Sequence, residues 1–442
     1  MRHSFLLLVF LLFENYICYS CDTNLCKLPA CQCASSSPPN NMNPNDVPQF
    51  IVLTFDDAVS QYILEAGANK VLLAHADRNG CPIPATFYVS LQYTDFYLLQ
   101  VLKQQGHEIA IHTVDHVGNP GSEEILQCRE AINKWTGGSI KNEELVGFRA
   151  PFLQLNANTA SVLQNNGFLY DSSVSTDPDN NNLYPYTLDN GYAQTTCDNE
   201  ICKGIGKFPG LWHVPMWSIH STSNIELTSM DYVDQDMYGS FMKTFYEKYN
   251  GNRSPMGIFL HPAWLIASDD NVNALNKFIE TVLQMKDVYF VTNKQLVEYM
   301  KNPVPAANVA SQLKGDGVCI NGRRFPSAVS NEVCDGADND RNGLIDENGI
   351  RSCVYPSFTI RTCLPTCPSG VPVLNNVFPQ ATGNIQTTVS TSGLNLIANP
   401  VSGSNAKTPG TNLTFSIENP GSRASQSSTS DSSFLQYRTG KI

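Results

Sequence analysis

Two adjacent carboxylates, Asp56 and Asp57, close the apolar run Leu53-Thr54-Phe55. Side by side they repel if both are ionised, and a divalent cation resolves the conflict by taking one of them. A helix cap followed by a first-turn acid is the competing reading of this pair. Further on, His112-Thr113-Val114-Asp115-His116 carries two imidazoles four positions apart. That spacing lets both reach one metal, although a solvated turn with two histidines would read the same way. With Asp57 they form a two-histidine, one-carboxylate set, which leaves a coordination position open for water. Phe148-Arg149-Ala150-Pro151-Phe152 puts an arginine at a strand end, where it either pairs with a carboxylate and holds it ionised or sits as an ordinary surface residue. Tyr170-Asp171-Ser172-Ser173 offers another acid, as a helix cap or as support behind the site. His261 ends the apolar run Ile258-Phe259-Leu260, and a core histidine is its alternative. His107 and His75 read as structural, His220 is open, and His213 could line a pocket beside Trp212.

These residues need elements to hold them. Between positions 49 and 300, short β-rich runs alternate with longer helix-like stretches. Strands are expected at 50–55, 85–90, 108–112, 145–149, 168–171, 211–216, 256–260 and 288–292, with helices at 95–105, 123–135 and 269–285. Alternation of this kind argues for parallel βα units in a barrel or a doubly wound sheet, and about 250 residues suit one βα barrel. Each chemical segment then falls at or just after the C-terminal end of a strand, the face on which such barrels build their sites.

The 442 residues carry a formal net charge of −12, which argues against a nucleic-acid or anionic-membrane partner. Beyond the N-terminus no segment has the roughly 18 apolar residues of a membrane span, so no membrane anchor is expected. Residues 1–20 read as a secretory signal, with Arg2 and His3 before an apolar run from Phe5 to Phe13. Export makes the 14 cysteines disulfide formers, with zinc as the rival for Cys21, Cys26, Cys31 and Cys33. Loss of Cys18 with the signal leaves 13, so one is free or pairs with another chain. The expected organisation is a signal at 1–20, a Cys-rich segment at 21–46, a catalytic domain at 47–302, a linker at 303–318, a Cys-rich module at 319–367 and a disordered Ser/Thr-rich tail at 368–442.

In their order, Thr54-Phe55-Asp56-Asp57, His112 to His116, Arg149-Ala150-Pro151-Phe152 and Leu260-His261 closely resemble the polysaccharide deacetylase family, carbohydrate esterase family 4, whose shared domain is the NodB-homology domain. The N-terminal Cys cluster, Asp46-Val47-Pro48-Gln49, Tyr170-Asp171-Ser172-Ser173, Tyr184-Pro185-Tyr186-Thr187, His261-Pro262-Ala263-Trp264-Leu265 and Asp287-Val288-Tyr289-Phe290-Val291-Thr292 look like the chitin deacetylases of invertebrate animals. The resemblance spans about residues 21–302.

The resemblance implies an α/β fold, a distorted (β/α) barrel of the NodB type. It implies Asp56 as general base, Asp57, His112 and His116 as ligands of zinc or another divalent metal, Arg149 as the partner that tunes Asp56, and His261 as general acid. Substrate contacts would come from Phe152, Trp212, Leu260 and Asp171, with Leu260 and Trp212 around the acetyl methyl and the Phe152 N–H on the oxyanion. The implied reaction removes N-acetyl groups from chitin or chitooligosaccharides in an extracellular setting, with the extracellular matrix as a partner. A catalytically weak or inactive chitin-binding extracellular matrix protein on the same fold is the alternative. Phe152 stands where the family often has Tyr, and His213 where related animal sequences have Glu, a change expected to alter substrate contacts.

Asp338, Asp340, Asn342 and Asp346, with Gly343 between, match the start of a calcium loop, although Gly349 stands where the closing Glu belongs. Calcium at these residues is one expectation, and a solvated acidic turn between disulfides is the other.

Overall fold

Gln49–Asp56 (β1) is buried along its whole length, as a central strand covered on both faces must be, and it organises the rest. In the computed structural model, residues 19–176, 180–193, 206–313, 315, 317–320, 322–347, 349–355 and 359–367, with the backbone of 383–385, are described. The signal at 1–20 falls almost entirely outside them, and so does nearly all of the tail. The main sheet continues with Thr86–Val89 (β2), Glu108–Ile111 (β3), Gly147–Phe148 (β4), Tyr170–Asp171 (β5), Tyr186–Leu188 (β6) and Phe208–His213 (β7). A hairpin of Ile219–His220 (β8) and Glu226–Leu227 (β9) stands apart, and Met256–Leu260 (β10) and Val288–Phe290 (β11) return to the sheet. Its order is β10-β1-β2-β3-β4-β5-β7-β6, parallel except for β6. Ile51 pairs with both Met256 and Phe290, and Thr54 with both Phe259 and Thr86. Strands β11 and β2 therefore share one edge of β1, at its two ends.

The sheet curls. Three strand spacings would separate β1 from β4 by about 14 Å if it were flat. Yet Arg149, just past β4, reaches Asp56 at 2.7 Å, and its guanidinium lies 5.1 Å from the Phe259 ring on β10. Tyr170 on β5 likewise meets the Tyr88 hydroxyl of β2 at 3.3 Å. The result is a distorted α/β half-barrel, open between β10 and β6, as the resemblance implies. Strands β4 and β5 are two residues each, shorter than expected at 145–149 and 168–171, while β6 was not foreseen.

The N-terminal cysteines pair as Cys21–Cys33 and Cys26–Cys31, so they form disulfides rather than a zinc cluster. Residues 32–36 run beside β6 and the loop before it, with Gln32 and Thr187 exchanging hydrogen bonds and the Ser35 carbonyl accepting from the Tyr184 N–H. Cys128 is free and buried. After the barrel, Ala306–Gln312 is a helix, within the stretch expected to be a linker. The Cys-rich region holds Val318–Ile320 (β12) with Arg323–Phe325 (β13), and Arg351–Val354 (β14) with Thr359–Thr362 (β15), while Gly383–Ile385 (β16), in the stretch expected to be a disordered tail, pairs with β14. It is tied to the barrel by Cys81–Cys319, by the Arg361–Asp95 ion pair at 2.9 Å and by Thr362 donating to the Trp135 carbonyl. In the acidic loop, ligand atoms of Glu332, Asp338 and Asp340 converge. Asp346 departs from the expected ligand set. Buried, it turns to the Gln100 amide and to the N–H groups of Asp335 and Gly336. Among the described residues, no helix is long and apolar enough to cross a membrane.

Candidate active site

Asp56 ends β1 and shares its inward face with Thr54, two positions earlier. Arg149 binds both through Nη1, at 2.7 Å to Asp56 Oδ1 and 2.8 Å to Thr54 Oγ1. Its Nε donates to the Ser172 carbonyl at 2.7 Å and Nη2 to Ser172 Oγ at 3.1 Å. The guanidinium also lies against the Tyr88 ring at 4.1 Å. Burial opposes the charge on Arg149, but Asp56 outweighs it, so the pKa lies above its ordinary value. Arg149 is thus a fully buried clamp on Asp56 and not a surface residue.

Asp57 follows in a left-handed conformation at φ 84°, which turns its carboxylate toward the next loop. Its Oδ1 faces Nε2 of His116 at 3.1 Å and Nε2 of His112 at 3.7 Å. Burial works against ionising Asp57, but contact with His116 and the charge of His261 hold its carboxyl down to about 2. His112 Nδ1 lies 2.8 Å from the Arg149 carbonyl oxygen. That oxygen only accepts, so Nδ1 carries the proton. Burial pushes the His112 pKa down, favouring the neutral ring. A neutral His112 therefore aims an Nε2 lone pair at a carboxylate oxygen, an arrangement that a cation between them makes favourable. The donor atoms of Asp57, His112 and His116 lie within 4.8 Å of one another, so these residues fit a divalent metal.

His261, just past β10, is held by a residue that sequence reasoning missed. Asp231 accepts from the His261 N–H at 2.7 Å and faces Nδ1 at 2.5 Å, while Nε2 points to Asp57 Oδ2 at 3.8 Å. Burial alone would lower the His261 pKa, but the bond and charge of Asp231 raise it to about 9. Asp231 follows no strand of the barrel and adopts φ 53°, so neither strand position nor composition marks it. Asp57, His116 and His261 keep 28%, 26% and 32% of their side chains open, whereas Asp56 keeps 1%, which makes the first three the accessible floor.

Of the expected substrate contacts, Phe152 is 64% exposed, at φ 55° and with its ring 4.7 Å from that of His116. Asp171 is not available to a substrate. It is buried, accepting from the Ser173 hydroxyl and N–H and from Tyr192. Ser173 Oγ in turn accepts from the Ala150 N–H at 2.8 Å, so Asp171 braces the turn that carries Phe152. Trp212 and Leu260 are buried in their strands, which makes them wall rather than open surface. His213 is buried against the rings of Tyr186 and Tyr192 and cannot touch substrate either.

Residues 43–170 match the polysaccharide deacetylase family. The chain is 33% identical over 307 residues to chitin deacetylase 8 of Bombyx mori, covering 64% of this chain and 79% of that one. It is 30% identical over 311 residues to chitin deacetylase 1 of the same organism, covering 64% of this chain and 57% of that one. Among solved structures, a putative polysaccharide deacetylase from Mycobacterium smegmatis is similar, with a TM-score of 0.40, 21% identity, and coverage of 61% and 95% of the two chains. The curled α/β sheet, the motif order along its rim and the likeness to the first relative lead to one assignment: this chain belongs to the polysaccharide deacetylase family and is a carbohydrate deacetylase.

Proposed function

We propose that the protein is a secreted, metal-dependent chitin deacetylase, releasing acetate from N-acetylglucosamine units of chitin or its oligomers and leaving glucosamine. The observation that carries this is the convergence on Asp57 of His112, His116 and His261 beside the Arg149–Asp56 pair. The two Bombyx mori relatives, named chitin deacetylases, support the substrate class. The disulfides support an oxidising, extracellular destination.

Asp57, His112 and His116 would hold a divalent cation such as zinc, which would supply Lewis-acid polarisation and lower the pKa of a water. Asp56, fixed by Arg149, accepts the proton as water attacks the acetamide carbonyl. The Phe152 N–H, on the turn braced by Ser173, donates to the developing oxyanion. His261, kept protonated by Asp231, gives its proton to the departing amine. Base and acid have different partners: Arg149 donates to Asp56, and Asp231 accepts from His261.

The test is acetate release from chitin oligomers by the full chain, with zinc, with chelator, and for Asp56→Asn. Zinc-dependent release that is lost in D56N supports the reading. Folded, metal-loaded protein that releases none from oligomers of several lengths would return the case to a non-catalytic chitin-binding protein.

A further inference from the structure

The turn that carries both histidine ligands does not support itself. It leaves β3 and reverses within a few residues, with Thr113 at φ 73° and His116 at φ 54°. Neither is glycine, and such conformations persist only where the surroundings hold them. The main brace is one carboxylate oxygen. Glu124 Oε2 accepts from the Val114 N–H and the Asp115 N–H, both at 3.0 Å. Glu124 stands in the first turn of the helix Ser122–Trp135, where the exposed N–H groups favour a negative charge. A weaker bond inside the turn runs from the Val117 N–H to Thr113 Oγ1 at 3.3 Å.

We propose that Glu124 is a positioning residue for the metal. It pins the middle of the turn so that His116, at its strained end, keeps Nε2 on Asp57. His112 has a separate hold through the Arg149 carbonyl, so loss of Glu124 falls on His116. This rests on the metal-site reading above, but not on the substrate.

The experiment measures zinc affinity of the full chain by competition with a chromogenic chelator, and the absorption spectrum of the cobalt form. Wild type binds one zinc at this site, and H116A abolishes that binding. Glu124→Ala weakens affinity by about 10–100-fold, the usual effect of losing an outer partner, and shifts the cobalt spectrum. Glu124→Gln keeps an acceptor oxygen for both bonds and stays close to wild type. Glu124→Asp keeps a carboxylate, one methylene short of the two N–H groups, carries the test if E124A does not fold, and gives an affinity between those of wild type and E124A. An E124A chain that binds zinc as wild type overturns the proposal, even if its Tm falls. E124Q as weak as E124A, or E124D as tight as wild type, overturns the hydrogen-bond argument. Zinc binding by wild type that ignores His116 sinks the metal site itself, a result distinct from these.

Discussion

The Nδ1 of His112 lies 2.8 Å from the backbone carbonyl oxygen of Arg149, whose side chain lies 2.7 Å from Asp56. One residue therefore orients the proposed metal-binding imidazole through its main chain and the proposed base through its guanidinium. The proton on Nδ1 leaves Nε2 free as a ligand. Position 149 thus couples the two halves of the proposed chemistry.

Arg149→Met should be costly for that reason. It leaves Asp56 buried without its cation, and breaking a buried pair costs about 3–5 kcal/mol. Denaturant unfolding at neutral pH should show a loss of that order. The R149M/D56N double variant should regain part of it, since no charge is then stranded. Unchanged stability in R149M would show that the pair contributes nothing.

The pH profile should depend on Asp231. With the His261 pKa raised to about 9, the acid stays protonated through neutrality, and activity falls as pH rises through about 9. Asp231→Asn should move that fall toward the ordinary histidine value of about 6.5. Folding has the same sign, because a raised folded pKa contributes stability in full below about 6.5 that is lost as pH rises through the folded value. A basic limb at the same pH in both proteins would separate Asp231 from the acid's function.

Gly147→Ala tests the floor of the barrel. A Cβ there would sit 2.2 Å from the Tyr170 hydroxyl, which donates to Glu108 at 2.9 Å. The other Glu108 oxygen accepts from Thr86 Oγ1 at 3.0 Å and from the Lys294 N–H at 2.9 Å. Burial already pushes the Glu108 pKa up, and displacing Tyr170 removes one of its donors. A loss of about 1–3 kcal/mol in denaturant unfolding is expected. A neutral substitution would mean that the floor yields freely.

The Cys81–Cys319 disulfide joins residues 238 apart in sequence. Replacing both cysteines with serine should lower stability by about 2–5 kcal/mol. Cys81 precedes β2, on the side of the barrel away from the site, so zinc affinity should hold. An equal fall in zinc affinity would show that the Cys-rich region acts on the site.

The rim residues are legible in the sequence because each closes an apolar run or follows one directly. Asp56, His112, Arg149 and His261 needed only strand positions to be placed together. Supporting residues were not legible in this way. Glu124 looks like any acid in a first helical turn, and Asp231 lies in a loop with no strand to mark it. Asp171 shares the strand-end signal and acts as support behind the site rather than as a substrate contact, because its partners Ser173 and Tyr192 depend on how the loops pack. The cysteine count foresaw an odd thiol, yet nothing in the spacing singled out Cys128.

By itself, the sequence determined the alternation of strands and helices and the chemical residues at the strand ends. Both are local, set by hydrophobic period and by where each period breaks. The tertiary structure alone decided the curl that brings Arg149 across three strand spacings to Asp56. It also decided the left-handed turns that aim Asp57 and His116, and the meeting of Asp231 with His261. Those depend on packing between elements distant in sequence, where strain at one residue is offset by bonds from another, and no local pattern records that balance.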